Sequence, residues 1–390
     1  MKELRPIIVA GGGIGGLAAA IALADKGWPV EVVERASEFR EIGAGIQLGP
    51  NGVRMLEALG VAPLLAPSAI RLTEIAVYDG LSGSHLASLP LGASAEERYG
   101  APYWAVHRAD LHGALLRRCE DIDGVRLRTG VALARLQSTP DSVIVGTETG
   151  KNLQGAGLVL ADGVWSTGRC QLFPRTEARF LGKTASRALL AAPDAPPSMI
   201  EPRVGLWLLP HAHVVHYPVK AGSQLNIVVI LKDDWMEQRW DGSGEQIFIE
   251  ERLASAAPAL RELVASPGQW GRWPLYELDP LKRWSNGLVT LLGDAAHPVL
   301  PFLAQGASLA LEDAVTLADS LTRQGDVLAA WQSYGNQRRP RTARLQATSR
   351  RNGRIYHLSG PSRLARNLAM RNLPAARLLA QYDWIYEFGR

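Results

Sequence analysis

Three carboxylates in this chain each stand at the end of a mainly apolar run, two of them beside glycine. Glu34 ends Pro29–Val33, Asp162 follows Leu158–Ala161 and precedes Gly163, and Asp294 follows Gly293 after Leu288–Leu292. A carboxylate at a strand end accepts hydrogen bonds from hydroxyl groups. A glycine-rich entry to a helix offers free backbone N–H groups that favour negative charge. The combination suits a polyhydroxylated, anionic ligand. The stretch at Asp294 is the longest, running through His297, Pro298, Pro301 and Ala304-Gln305-Gly306-Ala307 to Glu312-Asp313, with an apolar helix from Ala307 to about Leu321. His297 is a tempting base there, but its place between Ala296 and Pro298 favours a structural role in the loop.

A second kind of chemistry stands at His213-Val214-Val215-His216-Tyr217. Alternate residues of a strand share a face. His213, Val215 and Tyr217 therefore point together, and His216 points the other way. One face carries an imidazole and a phenol joined by apolar surface, which suits a pocket where a substrate hydroxyl is bound and deprotonated. Histidine's pKa lies in the useful range for that task.

The elements that must position these groups begin with the strand Ile7–Ala10. It enters Gly11-Gly12-Gly13-Ile14-Gly15-Gly16 and an Ala-rich helix, Leu17–Ala24, that stops near Gly27. With the second strand at Pro29–Glu34 this is a βαβ start. Gly11 permits the tight turn, Gly13 lets backbone approach a pyrophosphate, and Gly16 lets helix pack on strand. Glu34, 18 residues beyond Gly16, is placed to bind ribose hydroxyls. This predicts dinucleotide binding without separating FAD from NAD. Past Arg35, a second glycine-rich passage, Gly43–Asn51 with Gln47 inside it, offers backbone to a flat ring. Arg108, at the entrance of a helix reaching about Cys119, is placed to meet a phosphate or a ring edge, and Asp110 supports that helix's first turn. Val125–Leu136, which includes Val131, and Ser142–Glu148 predict further strands. Asp162, with Arg169 after it, is expected to hold nearby loops together and to assist pyridine-nucleotide binding.

Residues 180–273 have another texture. Val204–Leu209, Val214–Val219 and Leu225–Leu231 predict strands around a turn at Lys220–Ser223. Ile75–Tyr78 and Leu86–Leu89 pair into the same sheet, and Gln246–Leu253 and Ala259–Val264 are helices. The expected fold is α/β: a Rossmann-like nucleotide-binding domain (1–72, 98–179 and 274–326), an inserted, mainly antiparallel-sheet substrate domain (73–97 and 180–273) and a C-terminal helical segment (327–390). In that segment Val327–Arg354 and Arg363–Gln381 read as helices broken by Pro340, Gly353, Gly360, Pro361 and Pro374. Its recurrent arginines (338, 339, 341, 344, 350, 351, 354, 363, 366, 371, 377) predict a solvated face or a subunit contact. Leu364, Leu368, Leu378 and Leu379 beside them offer an interfacial helix.

Composition excludes several classes. The 390 residues are 47% hydrophobic and 21% charged, ordinary for a soluble globular protein. A net charge of +4 is small for this length and unaccompanied by aromatic interleaving, so nucleic acid is not expected. Cys119 and Cys170 lack metal-ligand spacing, so neither a metal nor a disulfide framework is expected. No signal peptide and no run of 18 apolar residues is visible, which points to a cytoplasmic protein.

Together, Gly11–Gly16 with Glu34, Asp162-Gly163, and Gly293-Asp294 with the loop to Ala307 resemble the single-component flavoprotein aromatic hydroxylases. Within that group Gly43–Asn51 and Gly293–Asp313 look most like salicylate hydroxylases and 3-hydroxybenzoate 6-hydroxylases. The resemblance spans roughly residues 6–350 and departs at Leu160, where the family usually has glycine. A single nucleotide fingerprint fits a family in which NAD(P)H docks transiently.

The resemblance implies non-covalent FAD, NADH or NADPH as co-substrate, O2, and hydroxylation of a small phenolic aromatic acid through a flavin hydroperoxide. It assigns Asp294 to the ribityl chain, Glu34 to the adenosine ribose and Arg108 to the flavin region. The N–H groups at Gly306-Ala307 would stabilise negative charge on reduced flavin, and Gly15, Arg35, Gln47, Val131, Asp162 and Gly293 complete the cofactor side. His213, Tyr217 and Gln305 form the reacting end. A homodimer is compatible with these features. Alternatives are a hydroxypyridine or nicotinate-type ring, a membrane quinone precursor, and a non-enzymatic escort. A halogenase is disfavoured, because Trp207-Leu208-Leu209-Pro210 matches its signature only in part and no lysine stands between Lys26 and Lys151.

Overall fold

The apolar run Ile7–Ala10 is buried at every residue, as a parallel strand covered on both faces must be. In the computed structural model, which describes residues 5–40, 43–235 and 245–390, it lies inside a six-stranded sheet. The order is Ser285–Asn286, Val289–Leu291, Gly157–Leu160, Ile7–Ala10, Val30–Val33, Val125–Arg128. All neighbours are parallel except the edge pair at Ser285–Asn286. Ala10 is in register with Val33 and Leu160, and Leu160 with Leu291. Four parallel strands thus end at one rim. That register alone brings Gly11, Glu34, Asp162 and Gly293-Asp294 together, where ligands bind in open parallel sheets.

The second large sheet has seven strands in the order Gly271–Glu277, Arg179–Ala191, Gln224–Lys232, Ala212–Val219, Arg203–Leu209, Glu74–Asp79, His85–Pro90. It is antiparallel but for the pair Arg203–Leu209 and Glu74–Asp79. One face packs on the helices Glu245–Arg252 and Pro258–Ala265 through Trp207, Val214, Ile227, Val229, Leu260 and Trp270. The other face carries His213, Val215 and Tyr217 toward the rim of the first sheet.

Three expectations change. Val125–Leu136 is two strands in different sheets, Val125–Arg128 and Leu133–Ser138, because Gly130 turns the chain at φ +68°. Val327–Tyr356 is one helix of 30 residues that continues through Pro340 and Gly353. Proline forfeits one backbone hydrogen bond, yet side chains on both sides of it anchor the helix. Gly353 serves close packing, since a Cβ there would stand 2.6 Å from the Phe302 ring. Pro374 does interrupt the chain, between the helices Gly360–Asn372 and Ala375–Ala380.

The arginines of this segment are corrected in part: Arg344, Arg351, Arg354, Arg371 and Arg377 are exposed as expected of a solvated face, and others are not. Arg338 is buried against Glu312 and Asp313, and Arg341 pairs with Glu312. Arg350 reaches Glu277, Arg363 reaches Asp79, and Arg366 is buried on the carbonyls of Ile355 and Tyr356. Arg338 and Arg341 fasten the long helix to the helix Gly306–Gln324, and Arg350 and Arg363 fasten the segment to the seven-stranded sheet. Leu364 and Leu368 are exposed as expected of an interfacial helix, but Leu379 is buried and Leu378 packs inward. Among the described residues no helix is long and apolar enough to cross a membrane, and no histidine, cysteine or acidic cluster could hold a metal ion.

Candidate active site

Between the two large sheets lies one continuous cleft of ≈ 580 Å³. Of the residues assigned above to the cofactor and to the reacting end, all but Gly16 line it. A Cβ at Gly16 would stand 1.9 Å from the Gly11 carbonyl oxygen, so this glycine lets the helix Ile14–Ala24 sit on the turn. Gly11 has φ +110°, and a Cβ there would meet the Ala161 carbonyl at 2.4 Å. Gly13 caps the helix with no side-chain bond and no acid follows in the first turn, so its first N–H groups remain available to a ligand. Glu34 accepts from the backbone N–H of Gly12 at 2.7 Å and of Ala36 at 2.9 Å. Arg35 and Val131 line the same end.

In the middle of the cleft, one Asp162 oxygen accepts from Gly168 N at 3.4 Å, while Oδ1 is buried without a partner. Burial raises its pKa. Asp162 thus ties its own loop at Gly168, and Arg169 carries the longer-range ties. Its buried guanidinium donates to the carbonyls of Val164 (2.8 Å), Thr176 (3.0 Å) and Ala295 (3.1 Å), joining the Asp162 loop to the Gly293–Ala295 turn. Asp294 is exposed to the cleft. Ala304 adopts φ +50° and the helix Gly306–Gln324 starts at once. A Cβ at Gly306 would meet nothing within 4 Å, so this helix start opens onto space. Gln305 accepts from Asn51 at 2.8 Å through Oε1, and its Nε2 is buried without a partner.

The other end is apolar, with Val215, Val228 and Ile230 around His213 and Tyr217. His216 lies on the opposite face near Trp207, at 6.4 Å between rings. His213 Nδ1 is hydrogen-bonded to His357 Nε2 at 2.8 Å, and His357 Nδ1 to Lys183 Nζ at 3.0 Å. Burial first, and then the charges of His357 and Lys183, hold the His213 pKa well below the ordinary histidine range. The ring is therefore neutral near pH 7. Burial pushes the Tyr217 hydroxyl up, so it stays a protonated donor. Gln47 accepts from Tyr103 OH at 3.1 Å.

The glycines of the second passage face protein. A Cβ at Gly43 would strike the His107 ring and one at Gly45 the Tyr217 and Asn226 side chains. Gly45 N also donates to Asn226 Oδ1 at 2.7 Å. Gly45 docks this strand on the seven-stranded sheet and Gly43 packs on His107, so only part of the passage, Gly45–Gln47, faces the cleft. His297 is outside it, buried between Asp313 and a stacked Trp284 (5.0 Å), a structural position. Four residues of this region escaped the sequence: Asn226, His357, Lys183 and Arg187. Each comes from an element distant in the chain, and the only available signal was strand alternation at 185, 187 and 189.

A family described as FAD binding domain matches residues 5–349. The chain belongs to the FAD-dependent aromatic hydroxylases. It is 38% identical to a 3-hydroxybenzoate 6-hydroxylase of Polaromonas naphthalenivorans, over 98% of this chain and 95% of that one. It is 38% identical to a 3-amino-4-hydroxybenzoate 2-monooxygenase of Streptomyces platensis, over 98% and 96%. The structure of Klebsiella pneumoniae HpxO with FAD and uric acid superposes with a TM-score of 0.88 at 27% identity, covering 98% and 96%.

The residues present in this hydroxylase fit FAD. The orphaned Asp162 Oδ1 and Gln305 Nε2, the two uncapped helix starts and the Glu34 carboxylate form a donor and acceptor set for pyrophosphate, sugar hydroxyls and a heteroaromatic ring.

Proposed function

We propose that this flavoprotein uses NADH or NADPH and O2 to hydroxylate a small phenolic acid of the hydroxybenzoate type. The observation that carries this reading is the juxtaposition in one cleft. A neutral imidazole and a protonated phenol sit on an apolar wall at one end, and the glycine-rich rim with its carboxylates sits at the other. The similarity to hydroxybenzoate hydroxylases along nearly the whole chain supports the substrate class.

In this reading FAD is held non-covalently. Glu34 accepts from the adenosine ribose and Asp294 from the ribityl chain, while backbone N–H groups at Gly11–Gly16 face the pyrophosphate. Arg35, Gln47, Arg108, Val131, Asp162 and Gly293 complete its enclosure. When bound, FAD supplies the redox chemistry that activates O2. The N–H groups of Gly306 and Ala307, at the start of a 19-residue helix, stabilise negative charge beside them. In this reading His213 Nδ1–H donates to His357 Nε2, and His357 Nδ1–H donates to the Lys183 amine, whose uncharged form burial favours, so the ring is oriented and its Nε2 is left without a proton for the cleft. There Nε2 accepts the substrate's phenolic proton, which makes the ring more electron-rich at the moment it is attacked. Tyr217 donates to the ring substituent, and Gln305 Nε2 supplies a second buried donor. The apolar walls exclude water from this end.

The rim sheet (1–72, 98–179, 274–326) would then be the cofactor domain, 73–97 with 180–273 the substrate domain, and 327–390 the segment that locks them. A cytoplasmic enzyme, able to form a homodimer, is consistent with this assignment.

The test is a panel of salicylate, the isomeric hydroxybenzoates and 3-amino-4-hydroxybenzoate. At least one is expected to accelerate NADH oxidation by the yellow holoenzyme and to yield a hydroxylated product. Equal NADH oxidation with and without every member, and no product, would reject the reading.

A further inference from the structure

Arg187 stands in the apolar end of the cleft without a partner. Its Nε is buried, and its guanidinium makes no hydrogen bond or ion pair among the described residues. Among the described residues its ring companion is Trp273, 5.7 Å from Cζ. Burial lowers its pKa, and Arg108, a second cation, lowers it further against the opposing effect of the Tyr217 hydroxyl. A cation–π contact contributes about 0.5–2 kcal/mol, whereas withdrawing a guanidinium from water costs several. A structural arginine in such a place is normally paired, as Arg338 and Arg169 are here. An arginine left unpaired in the wall of a cleft calls for an anion from outside.

Strand register places that anion. Arg187 is opposite Val228, and Val228 is opposite Val215, so the three lie in one row across the sheet on the cleft side. Val215 is flanked along its own strand by His213 and Tyr217. The row from Arg187 to Val215 spans two strand spacings, about 9.5 Å. It is floored by valine, and a single aromatic ring laid along it has an acid-binding group at one end and hydroxyl-binding groups at the other.

We propose that Arg187 binds the carboxylate of the aromatic acid and so decides which ring carbons face the oxidising end of the cleft. The planar guanidinium suits a carboxylate through two parallel N–H donors, a geometry that lysine cannot copy. This rests on the hydroxybenzoate reading above. It adds that the acid is required, and names the residue that requires it.

The test is equilibrium titration of holoenzyme with 3-hydroxybenzoate and with its uncharged amide, 3-hydroxybenzamide, followed by the flavin absorbance. In Arg187→Met the Kd for the acid is expected to rise about 30-fold or more, as when one member of a desolvated charge pair is removed. The amide Kd should hardly move, FAD content should match wild type, and Arg187→Lys should fall between. An Arg187→Met protein that binds FAD and still prefers acid to amide as wild type does would overturn the proposal. So would loss of FAD from both variants with the acid preference intact in what remains. If wild type itself binds neither salicylate nor any hydroxybenzoate, the substrate reading has failed first, and the failure is visible without any variant.

Discussion

Replacing His213 with alanine is expected to leave FAD bound and to lower hydroxylation about 100-fold or more, the usual worth of a positioned general base. His213 is 1% exposed, fixed at Nδ1 by His357, and lines the apolar end of the cleft beside Tyr217. Among the described residues the other histidine lining the cleft is His112, at the Gly12 end, and His357 lies behind His213 on its Nδ1 side. NADH consumed without hydroxylation should appear as hydrogen peroxide. Tyr217→Phe should shift the same ratio less, since it removes a donor but no base. His216→Ala should be milder still, because His216 faces the core on the sheet's other side. The pH dependence has a definite sign. His213 titrates below its ordinary value of 6.5, so the free base persists as pH falls through that value, and wild-type coupling should be alike at pH 7.5 and pH 6. The measurement is product formed per NADH oxidised. If His216→Ala abolishes coupling while His213→Ala stays coupled, the proposed wall is on the wrong face.

The largest effect on stability is expected from Arg338→Met. Arg338 is 1% exposed and pairs with Glu312 at 2.7 Å and Asp313 at 2.6 Å, both fully buried. Burial pushes Asp313 up, but His297 and Arg338 outweigh it and hold the carboxyl ionised. Methionine would leave this charge short of its partner in the interior. Breaking a buried pair from one side costs about 3–5 kcal/mol. Asp313 also accepts from Gly293 N at 3.1 Å, and Glu312 from Asn51 at 2.7 Å, whose other acceptor is Gln305. The same substitution should therefore loosen the Gly293 turn and weaken FAD retention. Urea unfolding of the apoprotein, read by far-UV circular dichroism, measures the first effect and flavin release the second. A loss below about 1 kcal/mol, the scale of an exposed pair, would mean that the network does not hold the C-terminal helix to the rim.

The rim was legible because parallel strands bury both faces. Ile7–Ala10 and Leu158–Ala161 read as unbroken apolar runs, and each hands over directly to a glycine or a carboxylate. The face shared by His213 and Tyr217 was legible from alternation alone. What lay across from that face was not. Arg187, two strands away, and His357, at the end of a 30-residue helix, meet it only through tertiary register. Arg344, Arg351, Arg354, Arg371 and Arg377 are solvated as expected, but the paired Arg338, Arg341, Arg350 and Arg363 were misread for a related reason. Helical spacing says which residues share a face, not that Glu312, Asp313, Glu277 and Asp79 wait opposite. Pro340 was read as a break because its local cost is fixed, while the buried pairs that outweigh it are remote in sequence.

A ring bound against His213 and Tyr217 should receive an oxygen atom from O2. The most direct measurement is mass spectrometry of the product formed by holoenzyme from NADH, 3-hydroxybenzoate and isotopically labelled dioxygen. The expected product is a dihydroxybenzoate carrying a single labelled oxygen, formed by wild type and nearly absent from His213→Ala. NADH consumed entirely to hydrogen peroxide, or a hydroxylated product without label, would contradict that expectation.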